Sequence, residues 1–201
     1  MSMSTRPARS PNLPTWLHRV VPVLFIVAIM WASEIIDVLL PLDLDLFGIG
    51  PRALEGMPGI VLSPFLHLGF DHLIANTSTL LVLGALIAWT TRRLWTVTIG
   101  VILLGGLGVW LLAPPHSITI GASGLVYGYA TFLAVYGFAV RRFGAALVGI
   151  LVVLLYGGMM WGVLPLWAGV SWQGHLFGAL AGVLLGLRLG RRDRVVRRPV
   201  I

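Results

Sequence analysis

Residues 121–142 read GASGLVYGYATFLAVYGFAVRR. No charged residue interrupts the run before Val140, and Arg141 and Arg142 close it. About 20 helical residues at 1.5 Å each span roughly 30 Å, the thickness of a bilayer's hydrocarbon core. The stretch is therefore a helix suited to lipid, yet it opens on a serine among small residues and carries Tyr127 one turn later. A small-residue stripe with a serine in it commonly serves close helix packing. The serine takes on another meaning only if other parts of the chain supply it with chemical partners.

The same pattern recurs along the chain, which has 201 residues, 58% of them hydrophobic and 10% charged. Soluble domains carry about a quarter charged residues, so the composition predicts an all-α polytopic membrane protein. Six apolar runs are long enough to cross, at about 20–40, 72–90, 94–113, 121–140, 145–163 and 171–189. The predicted organisation is a disordered arm (1–19), one bundle of six transmembrane helices (20–190) and a basic tail (191–201). The first run lacks a small-x-small cleavage site at its end and is expected to be a retained helix. A long connection at 41–71 holds irregularly spaced Gly and Pro and is expected to form a lid or a half-inserted segment.

All 14 basic residues are arginines, against 7 acids, for a net charge of +7. They sit at the ends of apolar runs, as topology signals do, and do not form a nucleic-acid-binding patch. Thirteen fall on one side of the six predicted spans and only Arg52 on the other. The positive-inside rule then predicts a multi-pass cell-membrane protein with both termini cytoplasmic. Asp43, Asp45, Glu55 and Asp71 lie in or beside the outer connection. The absence of cysteine excludes disulfides, thiolate metal sites and a thiol nucleophile.

Strongly polar side chains inside a membrane are costly and mark functional sites. Ser123 lies 18 residues before Arg141, Asn76 16 before Arg92, and His175 13 before Arg188. At helical rise these separations are roughly 27, 24 and 20 Å, which puts all three in the outer half of the core. His72 and Asn76 share one helix face by their four-residue spacing, as do Ser123 and Tyr127. Gly174, Gly178, Gly182 and Gly186 repeat every four residues beside His175. Against Gly121, Gly124 and Gly128 they would let two backbones approach closely enough for His175 to reach Ser123.

That combination permits nucleophilic catalysis. A serine hydroxyl needs a base to accept its proton, and histidine suits that role near neutral pH. Asn76, His72 and the backbone N–H of Ser123 are candidate donors to an oxyanion. No carboxylate lies on the two helices concerned, so the expected unit is a Ser-His dyad, with Tyr127 packing on the imidazole. Taken singly, each residue has a structural alternative: a membrane histidine or asparagine often only bridges helices, and His67 would brace the outer loop. A proton or ion pathway is a further alternative, although the last five spans hold no carboxylate to serve it. The dyad requires no cofactor and no metal.

GASG with Tyr127, HLGFDHLIAN through His67, His72 and Asn76, and GHLFGALAG through His175, Gly178 and Gly182 resemble, in that order, the motifs of the rhomboid family of intramembrane serine proteases. The resemblance runs over residues 20–190. It implies a rhomboid-like six-helix bundle with a water-filled cavity open to the outside. It further implies partners in the lipid bilayer, namely single-pass or polytopic membrane proteins cut near the outer end of a helix. A catalytically inactive rhomboid-like binder is the alternative within the same fold. One departure stands out: where the family's first loop often carries a Trp-Arg pair, this chain has MPGIV at 57–61.

Overall fold

The computed structural model describes residues 15–40 and 42–196. Seven α-helices follow in chain order among them: α1 (Thr15–Leu39), α2 (Gly59–Leu62), α3 (Phe70–Thr90), α4 (Leu94–Leu112), α5 (Ser123–Val140), α6 (Phe143–Tyr156) and α7 (Trp172–Val196). Helix α6 continues into 3-10 turns over Gly157–Val163, and α2 is a single turn inside the long connection. The described residues hold no strand, only an isolated antiparallel bridge between Ile49 and Thr119. Arg19, Arg92, Arg93, Arg142 and Asp193 line one groove, so the six long helices alternate in direction with their arginine-bearing ends together.

Five of these helices are long and apolar enough to cross a membrane: α1 from His18, α3, α4, α5, and α6 with its 3-10 extension. The chain is an all-α multi-pass membrane protein. Helix α7, expected as the sixth span, has 25 residues but carries Gln173, His175 and Arg188. Its length suffices to cross, and it keeps His175 inside the bundle.

Between helices in lipid the hydrophobic effect supplies little, because lipid tails are as apolar as leucine; close packing and interhelical hydrogen bonds hold such bundles. Helix α5 is the most enclosed of the five, with 67% of it buried, and α7 lies along it. A side chain at Gly178 would strike the carbonyl oxygen of Gly124, and one at Gly182 that of Gly128. Further along, Gly186 faces Phe132 and Gly190 faces Tyr136. The four-residue glycine repeat therefore runs one helix down the other with almost no gap. Thr131 Oγ1 donates to the Ala179 carbonyl across this seam at 2.8 Å, the Thr98 and Tyr129 hydroxyls bond α4 to α5, and Trp31 Nε1 donates to Thr77 at 3.1 Å between α1 and α3. Leucines 103, 104 and 107 on α4 and 147, 151, 154 and 155 on α6 face outward, where lipid is their solvent.

Three expectations need correction. Thr15–Arg19, assigned to the disordered arm, are the first turns of α1, because the apolar pattern already begins at Trp16 and Leu17; residues 1–14 lie outside the described residues. Residues 191–196, assigned to the basic tail, continue α7: Gly190 packs on Tyr136 and Asp193 pairs with Arg93. Gly121 does not share the α5–α7 seam with Gly124 and Gly128, but lies against His72. The long connection, described from residue 42 on, packs beside α4, where Ile60 meets Gly106, and lines the cavity next to Ser123 through Ile49, Ile60, Ser63 and Pro64. Its backbone crosses itself where a Cβ at Gly59 would strike Gly48 and one at Gly56 would strike Gly50. Only glycine allows that crossing. Arg52 and Trp110 tie the loop to α4: Trp110 Nε1 donates to the Ala53 carbonyl at 2.9 Å and the Arg52 guanidinium to that of Leu111 at 3.0 Å.

Candidate active site

Ser123 is the first residue of α5, and the chain reaches it through a sharp turn at Gly121, whose φ of +100° an L side chain rarely adopts. A Cβ there would also fall 2.7 Å from the His72 ring and 3.8 Å from Asn76 Nδ2. Backbone conformation and neighbours both demand glycine. The turn is held on two sides: Gly121 N–H donates to the Ser63 carbonyl at 2.8 Å, and Ala122 N–H to His67 Nε2 at 3.4 Å. Burial, and then the neighbouring His72, push His67 down to about 4, so its ring stays neutral and Nε2 keeps the lone pair that this bond uses. His67 thus braces the turn that presents Ser123.

The Ser123 hydroxyl lies 2.9 Å from His175 Nε2. The other ring nitrogen, Nδ1, lies 2.9 Å from the carbonyl oxygen of Gly162. A carbonyl only accepts, so Nδ1 carries the proton; neutral Nε2 is then the acceptor, and the serine hydroxyl donates to it. The ring of Tyr127 stacks on the imidazole, with centroids 4.2 Å apart and planes 8° apart. Its hydroxyl donates to the Met159 carbonyl. The 3-10 turns after α6 therefore hold both the imidazole and the ring stacked on it. Being a backbone carbonyl, the Gly162 contact leaves no side-chain signature; the only hint is a glycine in an irregular stretch.

His72 and Asn76 come together over Gly121, two residues from the serine, on the face of α3 that their spacing predicts. Asn76 is 6% exposed, and its Nδ2 has no hydrogen-bond partner among the described residues. A buried amide donor left unpaired is costly, and such exceptions mark function. The N–H of Ser123, in the first turn of α5, likewise has no intrahelical acceptor. The Asn76 amide and the His72 ring thus lie against Gly121, two residues before Ser123.

A cavity of about 40 Å³ adjoins the serine, walled by Ser63, Thr119, Gly121, Gly124 and Gly174 among others. That volume accommodates about two or three waters, and in a mostly apolar lining Ser63, Thr119 and Ser123 offer them partners. Thr119 and Ser171 share a hydroxyl hydrogen bond at 3.0 Å, and Ser171 Oγ accepts from Gly174 N–H at 3.3 Å, fastening the loop before α5 to the start of α7. Ser63, Thr119 and Ser171 escaped the sequence reasoning because none belongs to a periodic pattern. His116 is exposed in the loop after α4.

The chain is similar to known proteins over most of its length. The model of the Rhomboid domain matches residues 55–192. Uncharacterised proteins of Mycobacterium bovis and Mycobacterium tuberculosis are each 39% identical, over 96% of this chain and 88% of theirs. An uncharacterised protein of Mycobacterium leprae is 40% identical, over 90% of this chain and 76% of its own.

Proposed function

The chain belongs to the rhomboid family, and from that premise we propose that it is an intramembrane serine endopeptidase working through a Ser123–His175 dyad. One observation carries the proposal: the Ser123 hydroxyl donates to His175 Nε2 while the Gly162 carbonyl holds the Nδ1 proton. In the acylation step, Ser123 Oγ bonds to the scissile carbonyl carbon as its proton passes to Nε2. The resulting oxyanion takes donors from Asn76 Nδ2, His72 and the Ser123 N–H. His175 then protonates the departing amide nitrogen as the C–N bond breaks, leaving an acyl-serine. A water from the adjoining cavity gives a proton to Nε2 and attacks the ester. Collapse returns the proton to Ser123 Oγ and releases the acid.

The substrates are membrane-spanning proteins, single-pass or polytopic, cut near the outer end of a helix, since the serine sits at the end of the bundle away from the arginines. The arginine-rich end faces the cytoplasm, and with it both termini. The competing reading is an inactive rhomboid-like protein that grips membrane helices. The paired hydroxyl and imidazole weigh against it, since gripping needs neither.

A fluorophosphonate probe applied to the purified protein in detergent tests the dyad. Labelling is expected in the wild type and absent in folded Ser123→Ala and His175→Ala. A wild type that is folded yet unlabelled, or a labelled Ser123→Ala, would count for the non-catalytic binder.

A further inference from the structure

The end of the bundle opposite Ser123 carries a second concave site. Two adjoining grooves of about 530 and 440 Å³ share Arg19, Thr91, Arg92 and Arg93. Both volumes are in the range of ligand sites, about 300–1,000 Å³. Arg19 comes from α1, Arg92 and Arg93 from the α3–α4 turn, and Arg142 from the α5–α6 turn, so three separate parts of the chain bring guanidinium groups to one space. Against these four cations stands one lining carboxylate, Asp193. It is already engaged: Arg93 donates to it through Nε at 3.1 Å and Nη2 at 2.6 Å, and the Tyr136 hydroxyl donates at 2.9 Å. Arg19, Arg92 and Arg142 make no ion pair among the described residues.

Topology signalling does not explain this arrangement. A positive-inside bias is met by arginines anywhere at that end, and Arg188 and Arg191 satisfy it without lining these grooves. What the convergence adds is a cradle with unneutralised charge, and guanidinium forks match phosphate oxygens two at a time. The rim of the cradle is aromatic. Trp89 is 74% and Trp95 46% exposed, and indoles favour the boundary between headgroups and acyl chains. The apolar surface continues beyond the rim: Phe25, itself exposed, meets Trp95 edge to face at 6.2 Å, and Ile99 lies one turn past Trp95 along α4. An occupant thus meets cations at its head and a greasy track along its tail.

We propose that this groove binds the headgroup of an acidic phospholipid, with the phosphate held by Arg19, Arg92 and Arg142 and an acyl chain lying along Trp95 and Phe25. Free phosphate shares the head chemistry but leaves the apolar track empty, so the lipid is the fitting source. The site is independent of the dyad, and its occupancy is measurable without any proteolysis.

The test is lipid titration of the purified full chain in a neutral detergent, with bound lipid counted by native mass spectrometry and the melting temperature followed in parallel. Phosphatidylglycerol is expected to bind and to raise the melting temperature, whereas phosphatidylcholine and inorganic phosphate are not. Arg92→Gln with Arg142→Gln is expected to weaken phosphatidylglycerol binding by at least about tenfold, through loss of charge-assisted bonds. Arg188→Gln with Arg191→Gln, which removes the same charge from the same end outside the groove, is expected to leave binding intact. Equal weakening in the two double variants would reduce the effect to general surface charge and overturn the site. Stabilisation by inorganic phosphate alone would overturn the lipid. Should the groove variant be poorly folded without lipid, Trp95→Ala provides the second reading: loss of lipid selectivity over phosphate is expected, and unchanged selectivity counts against the track.

Discussion

The two ends of the bundle hold their polar groups by different means. Around Ser123 itself the groups in contact with the hydroxyl, the imidazole and the turn before them are uncharged, and backbone atoms do most of the holding: the Gly162 carbonyl on His175, the Met159 carbonyl on Tyr127, the Ser63 carbonyl and the His67 ring on the turn before Ser123. At the arginine end the contacts run between charged side chains, Arg93 to Asp193, with Tyr136 attached. Water accounts for the contrast. Charge is tolerable where solvent can reach it, and the Arg93–Asp193 pair keeps part of its surface exposed. Away from solvent an unpaired charge is costly, so a base proposed at His175 is best stored neutral and aimed by dipoles. In the proposed dyad the Gly162 carbonyl selects the imidazole tautomer in the place where a carboxylate could have done so.

Three experiments would break or sharpen that contrast. The largest effect is expected for Asn76→Ala, at about 10²-fold to 10³-fold in the rate of serine acylation, the range for losing one oxyanion donor. Because Asn76 Nδ2 has no partner among the described residues, its loss is expected to leave the melting temperature nearly unchanged. A large drop in stability with little change in rate would make Asn76 a packing residue.

Next comes Gly162→Ala. Its new methyl would collide with the Tyr127 hydroxyl and come within 3.0 Å of His175 Nδ1, so acylation should slow by roughly 10-fold to 10²-fold as the imidazole is displaced. Tyr127→Phe removes the hydroxyl that the methyl meets. The double variant should therefore recover part of the rate, and additive losses would deny that these turns aim the base. The smallest effect is expected at the other end, where Asp193→Asn should cost about 1–2 kcal/mol of stability. The acylation rate at Ser123 should not move. A fall in that rate on mutating Asp193 would mean that the two ends are coupled through α5 and α7, and the contrast between them would fail.

Much of the architecture is legible in the chain because it follows from local composition. An apolar run ending in arginine is a membrane helix whatever surrounds it, and five of the predicted runs return as long apolar helices with ends within a few residues of the observed ones. The four-residue glycine repeat on α7 is legible for the same reason, since periodicity names the face and small residues name the distance. The motifs around His72, Ser123 and His175 likewise stand in the sequence, and with them the family. Contacts between segments distant in the chain are not written there. Nothing in GGMMWGV says that the Gly162 carbonyl meets His175, nothing in GASG says that its first glycine turns the chain under His72, and nothing in MPGIV says that Gly59 lets Gly48 cross it. Those facts belong to the tertiary structure, because a backbone carbonyl or a missing side chain has no chemistry of its own until another part of the chain is brought against it.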